Sequence, residues 1–139
     1  MIAIIDYDAG NLGSVDKAFA HIGAECIVTH DPEIILGAHG VVLPGVGAFE
    51  SCMDNLLKEG MDIVVRKVID SKKPFLGICV GFQMLFESSE EHLPGQPDVP
   101  GLGIFKGKVR RFSDKEGLKI PQMGWNRLNF KKSCPIFEG

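Results

Sequence analysis

Short apolar runs that break off into glycine-bearing loops constrain this chain more than any other feature. "IAII" at 2–5 ends in Asp6, "GVVLPG" occupies 40–45 and "FLGIC" 75–79. Runs of four or five apolar residues without polar alternation suit strands buried on both faces, as in parallel sheets. "ECIVTH" at 25–30 reads as a further strand. Between these runs the period changes. Leu12, Val15, Ala18, Phe19 and Ile22 recur at helical spacing, with Gly23 as the stop. Phe49, Cys52, Met53, Leu56 and Leu57 form a second such face, and Met61, Val64, Val65 and Val68 a third that runs to Ser71.

Strands alternating with helices imply an α/β fold: an open parallel or mixed sheet with helices on both faces. The run at 75–79 is expected to lead into a helix from Gly81 to Glu87. From Leu93 the character changes. "LPGQPDVPGLG" carries three prolines and three glycines in eleven residues and reads as a surface loop. "IFKGKVRRF" and "KIPQMGWNRLNF" are expected as antiparallel strands added at one edge. "KKSCPIFEG" closes the chain without another element, so the expectation is a single domain over 1–139 whose sheet lacks its C-terminal part.

Composition excludes several classes. With 139 residues, 45% of them hydrophobic, the chain can bury one core. Its 15 basic and 18 acidic residues form no block of one sign, which argues against nucleic acid or an anionic membrane as partner. No apolar run nears the roughly 20 residues that cross a bilayer. The first residues lack a basic leader region. Cys26, Cys52, Cys79 and Cys134 show no C-x-x-C spacing, so neither zinc nor a disulfide framework is expected, and a reducing cytoplasm suits the free thiols. Asp6 and Asp8 read as loop caps; no metal site and no cofactor is expected.

The most informative cysteine is Cys79, in "FLGICVGFQ". A strand that turns straight into a helix needs small residues two before and two after the bend, where the two backbones approach. Gly77 and Gly81 hold those places, which is a nucleophile-elbow layout with cysteine in place of serine. The sulfur would stand above the sheet at the start of a helix, where N–H groups and the helix dipole favour a thiolate. The N–H of Val80 could serve an oxyanion formed when sulfur attacks a carbonyl, and the 44–49 loop, with Gly45 and Gly47, is the natural source of a second donor. Most unpaired cysteines are small core hydrophobes. Cys26, Cys52 and Cys134, lacking this context, keep that reading.

At this point the residues match a family. "FLGICVGFQ" with "LPGVGAF" upstream resembles the class I (triad) glutamine amidotransferases. "IIDYDAGNLGSV", "LFESSEE" and "PQMGWN" at 121–126 narrow the likeness to glutaminase subunits of imidazole glycerol phosphate synthases, enzymes of histidine biosynthesis. The resemblance implies hydrolysis of L-glutamine through a Cys79 thioester, with ammonia passed to a (β/α)8-barrel cyclase in a heterodimer. It implies an oxyanion hole at Val46, Gly47 and Val80. Substrate contacts would fall at Gly45, Gln83 and Glu91, and a partner interface at Asn11, Gln122, Trp125 and Asn126. Ordinary core filling is the competing reading of Trp125.

The family completes its triad with a His-Pro-Glu-like motif well after the cysteine. No such motif occurs here, and His21, His30, His39 and His92 are not in a strand-end context that would aim an imidazole at Cys79. The expectation is therefore a glutaminase impaired in this form, with a non-catalytic docking or regulatory fragment as the alternative. A peptidase-like cysteine enzyme is a third reading; histidine commonly follows the nucleophile in that group, and here Val80 does.

Overall fold

The computed structural model describes residues 1–93, 95–112, 117, 120–121 and 123–134. Four parallel strands form its main sheet: β1 (Ile2–Ile5), β2 (Cys26–Thr29), β3 (Gly40–Leu43) and β4 (Phe75–Gly77), in the order β2-β1-β3-β4. They are joined by α1 (Leu12–His21), α2 (Pro32–Gly37), and the consecutive α3 (Phe49–Lys58) and α4 (Met61–Asp70). A parallel strand pair cannot be closed by a hairpin, so each crossover carries a helix over a sheet face.

The register sorts the strand side chains by face. Ile4 aligns with Val28 on one side and Val42 on the other, and Val42 with Leu76. That row faces α1, which packs on β1 and β2 with Leu12, Val15 and Phe19 half-buried. Ala3, Ile5, Val41 and Leu43 point the other way. They join Ile35 of α2, Phe49, Met53 and Leu56 of α3 and Val64, Val65 and Val68 of α4 in the main core. Helices on both faces are thus present, with most of the burial on one. Asp31 starts α2 by accepting the Glu33 N–H at 2.8 Å, with Pro32 in the first turn where a missing N–H costs nothing.

Beyond β4 the structure departs from the sequence reading. The expected helix from Gly81 to Glu87 is only α5 (Val80–Gln83), and Phe86–Ser89 is a strand, β5. It is the centre of a separate three-stranded sheet, β6-β5-β7, with β6 (Val99–Pro100) and β7 (Phe105–Val109). Its strands are not an antiparallel extension of the main sheet. β6 runs antiparallel to β5, but β7 runs parallel to it, with a register irregularity between Phe86 and Ser88. The main-chain pairing explains why this segment is not helical: Leu102 N–H bonds the Met84 carbonyl at 2.8 Å, Gly101 the Glu87 carbonyl at 2.9 Å. Arg66 of α4 donates to the Leu102 carbonyl at 2.5 Å and fastens the small sheet to the main body. The described part of "KIPQMGWNRLNF" contains no strand.

Candidate active site

β4 ends at Gly77, and the next N–H, of Ile78, bonds the Leu43 carbonyl at 3.0 Å. The chain then reverses at Cys79, whose φ is +54° and ψ −117°, and α5 begins with Val80. Gly81 N–H closes the bend onto the Ile78 carbonyl at 2.9 Å. Positive φ in a residue with a Cβ costs on the order of 1–3 kcal/mol and persists only where the surroundings enforce it. The two glycines allow that enforcement. A Cβ on Gly77 would lie 2.7 Å from the Phe82 Cα, and one on Gly81 would run into the Leu43 carbonyl. Strand, bend and helix meet backbone to backbone, and the Cys79 thiol is exposed at the carboxyl edge of the sheet. One expectation needs correcting. A helix of four residues sums few peptide dipoles, so its field at the thiol is small, and local N–H groups are the main electrostatic resource.

The 44–48 loop leaves the carboxyl end of β3, next to β4. A Cβ on Gly45 would stand 2.5 Å from Gly81 N and 3.0 Å from Val80 Cβ, so this loop lies directly on the elbow. Gly47 has φ +90°, a conformation other residues rarely adopt, and Val46 is half-exposed. As the first N–H of α5, that of Val80 has no intrahelical acceptor. Val46, Gly47 and Val80 are thereby brought to the same sheet edge as Cys79, at the position where α/β folds bind ligands. The loop after β1 reaches the same place. A Cβ on Gly10 would meet Pro44 at 3.2 Å, and Asn11 caps α1 by accepting the Ser14 N–H at 3.2 Å.

Two residues at this edge escaped the sequence reading. Tyr7 is buried and its hydroxyl donates to the Pro44 carbonyl at 2.6 Å. Cys52, read only as a core residue, is indeed buried, and its thiol donates to the Val46 carbonyl at 3.3 Å. Burial pushes the Tyr7 phenol well above its ordinary range, with Cys52 adding to the effect. Burial raises the Cys52 thiol more than the neighbouring Tyr7 hydroxyl and Val46 main chain lower it, and the nearby Glu91 and Cys79 add to the rise. Both groups keep their protons near neutrality and remain donors. Tyr7 had a signal: the chain's single tyrosine follows an apolar run, and a buried phenol needs a partner.

Gln83, on α5, and Glu91, after β5, line one cavity of about 850 Å³ together with Ser89, His92 and Arg110. Glu91 Oε2 also accepts the Phe49 N–H at 3.3 Å, capping α3, which has no side-chain cap of its own. Glu90 and His92 of the cavity lining belong to an ion-pair cluster: Lys108 bridges Glu90 and Asp98, each at 3.0 Å, and His92 lies 3.4 Å from Asp98. Among the described residues no histidine hydrogen-bonds Cys79. His92 faces Asp98 and the Leu93 carbonyl, and His39 lies beside the N-terminal amine at the opposite sheet edge. Trp125 is fully exposed and fills no core among the described residues; Asn126 is exposed too, and Gln122 lies outside the described residues. Among the described residues no helix is long and apolar enough to cross a membrane.

A family model described as glutamine amidotransferase class-I matches residues 3–139. Imidazole glycerol phosphate synthase subunit HisH of Thermosynechococcus vestitus is 51% identical over 138 residues, covering 99% of this chain and 64% of that protein. The same subunit of Bacillus cereus strain ATCC 14579 is 49% identical over the whole chain and 64% of its own length. Subunit HisH 1 of Methanococcus maripaludis is 49% identical, covering the whole chain and 67% of that protein. The chain thus spans about 64% of the length of the first two. Among solved structures, a glutamine amidotransferase superposes with a TM-score of 0.63 at 21% identity, over 80% of this chain and 57% of that one. A putative peptidase E of Listeria monocytogenes gives 0.57 at 12% identity, over 75% and 62%. At those identities the likeness is one of fold.

Proposed function

Because the chain belongs to the class-I glutamine amidotransferases, we propose that it is the cysteine-bearing part of a glutaminase subunit that feeds ammonia to imidazole glycerol phosphate synthesis. The observation that carries this reading is the strained elbow: Cys79 at φ +54°, flanked by glycines whose places no larger residue could take. Such strain persists at sites where a side chain must be presented, not merely buried.

In this reading the Cys79 sulfur adds to the amide carbon of L-glutamine, and the carbonyl π pair moves onto oxygen. N–H groups of Val80 and of the Val46–Gly47 segment receive that charge. Collapse of the adduct expels the amine, which takes a proton to leave as ammonia, and water then cleaves the γ-glutamyl thioester to glutamate and free thiol. Gly45, Gln83 and Glu91 hold the substrate. Ammonia passes to a (β/α)8-barrel cyclase docked on Asn11, Gln122, Trp125 and Asn126; the complete exposure of Trp125 suits that role. The setting is the cytoplasm. Without an imidazole on Cys79 the thiol lacks its proton acceptor, and triad members act as a unit, so these 139 residues alone hydrolyse glutamine slowly.

An electrophilic glutamine analogue tests the reading. Selective modification of Cys79, blocked by L-glutamine, is expected. Modification spread over Cys26, Cys79 and Cys134 without protection would mean a docking or regulatory fragment with no substrate pocket.

A further inference from the structure

We propose that Tyr7 and Cys52 are positioning residues that set the oxyanion loop from beneath by holding its carbonyls. The inference rests on the reading of 45–47 as the loop that receives the oxyanion.

In a trans peptide the C=O and the following N–H point in opposite directions. A carbonyl drawn inward therefore turns the next N–H outward. Tyr7 Oη takes the Pro44 carbonyl at 2.6 Å and Cys52 Sγ takes the Val46 carbonyl at 3.3 Å. By that rule the N–H groups turned away from the core are those of Gly45, which this reading gives to the substrate, and Gly47, which it gives to the oxyanion. Glycines at both positions have no side chain to set the peptide planes, and Gly47 already sits at φ +90°. Something other than side-chain sterics must fix them.

The anchors come from different elements. Tyr7 follows β1 and Cys52 lies in α3, so the loop is tied to the sheet and to a helix at once. Both are about 1% exposed, and their side chains interact with each other. Tyr7 donates to the Pro44 carbonyl and Cys52 to the Val46 carbonyl. A thiol is a weak donor, yet one excluded from water has no competing partner. Neither residue touches the substrate in this account; they act through the loop.

The test uses two probes of Cys79. Glutamate γ-semialdehyde adds reversibly: the S–C bond forms, the aldehyde π pair moves to oxygen, and that oxygen takes the thiol proton. Its oxygen occupies the oxyanion position. Iodoacetamide alkylates the same sulfur with loss of iodide and needs no oxyanion hole. In Tyr7→Phe and Cys52→Ala the semialdehyde should bind about five- to tenfold more weakly, the value of one lost hydrogen bond. Iodoacetamide alkylation at Cys79 should stay within about twofold of the parent. Cys52→Ser, which retains a donor, should recover most of the loss. Unchanged semialdehyde affinity in both Tyr7→Phe and Cys52→Ala overturns the proposal. So does an equal change in both probes, which marks a general structural role. A parent chain that binds no semialdehyde at all overturns the glutaminase reading itself, and this inference with it.

Discussion

A Cβ placed on Gly45 would stand 2.5 Å from the backbone nitrogen of Gly81, so the loop after β3 and the elbow after β4 touch main chain to main chain. This contact brings a candidate oxyanion donor next to the nucleophile. It also makes the site a matter of backbone proximity, with few side chains to substitute.

Gly81→Ala should therefore be costly. Its methyl group meets the Leu43 carbonyl, which belongs to a central strand and cannot yield cheaply. The expected loss is about 1–3 kcal/mol, read as a lower urea midpoint at unchanged slope. Gly13→Ala is the control. A Cβ there meets nothing within 4 Å in the first turn of α1, and a gain of roughly 0.5–1 kcal/mol is expected. Equal effects at the two glycines would count against the packed elbow.

Cys79 pays for its position in conformation. Replacing it with alanine keeps the Cβ and hence the strain at φ +54°, whereas glycine adopts that conformation freely. Cys79→Gly should be more stable than Cys79→Ala by about 1 kcal/mol, the reverse of the order found in ordinary helix positions. Denaturant titration of the two variants decides it; an alanine variant that is the more stable would mean the bend is relaxed.

The elbow could be read from the sequence because its requirements are local: two glycines at fixed offsets from a cysteine, after an apolar run. The main sheet was legible for a similar reason, since α1, α3 and α4 each repeat their apolar residues over two or three turns. α2 was missed although Asp31 and Pro32 form a recognisable helix start; Ile34, Ile35 and Leu36 are contiguous and carry no period. β5 was mistaken for helix because Met84, Leu85 and Phe86 continue directly from α5. Its strand character depends on partners 10 to 20 residues away, such as Val99 and Val109, which no local pattern reports. The Tyr7 bond was hidden likewise, since it reaches Pro44 across 37 residues, whereas Cys52 lies six residues from Val46 and only its place on an apolar helix stripe masked its thiol.

Tyr7 offers a pH test. Its phenol is buried and its pKa is raised in the folded state, chiefly by loss of solvation. The unfolded chain then releases this proton at a lower pH than the folded chain. The contribution is fully present below the ordinary tyrosine pKa near 10 and is lost as pH climbs above it. Tyr7→Phe should cost about 1–2 kcal/mol at pH 7, because the Pro44 carbonyl loses its donor. The gap to the parent should narrow above roughly pH 10. A gap that stays constant to pH 11.5 would contradict the burial of the phenol.

On the reading proposed above, Cys79 is presented to react but has no base among these residues. Ammonia release from L-glutamine by the 139-residue chain alone tests it most directly. Intact enzymes commonly turn over at about 1–10³ per second, and loss of a triad member removes several orders of magnitude. Turnover below about 10⁻² per second is expected, with any residual rate abolished by Cys79→Ala. Turnover of about 1 per second or more from this chain by itself would contradict it.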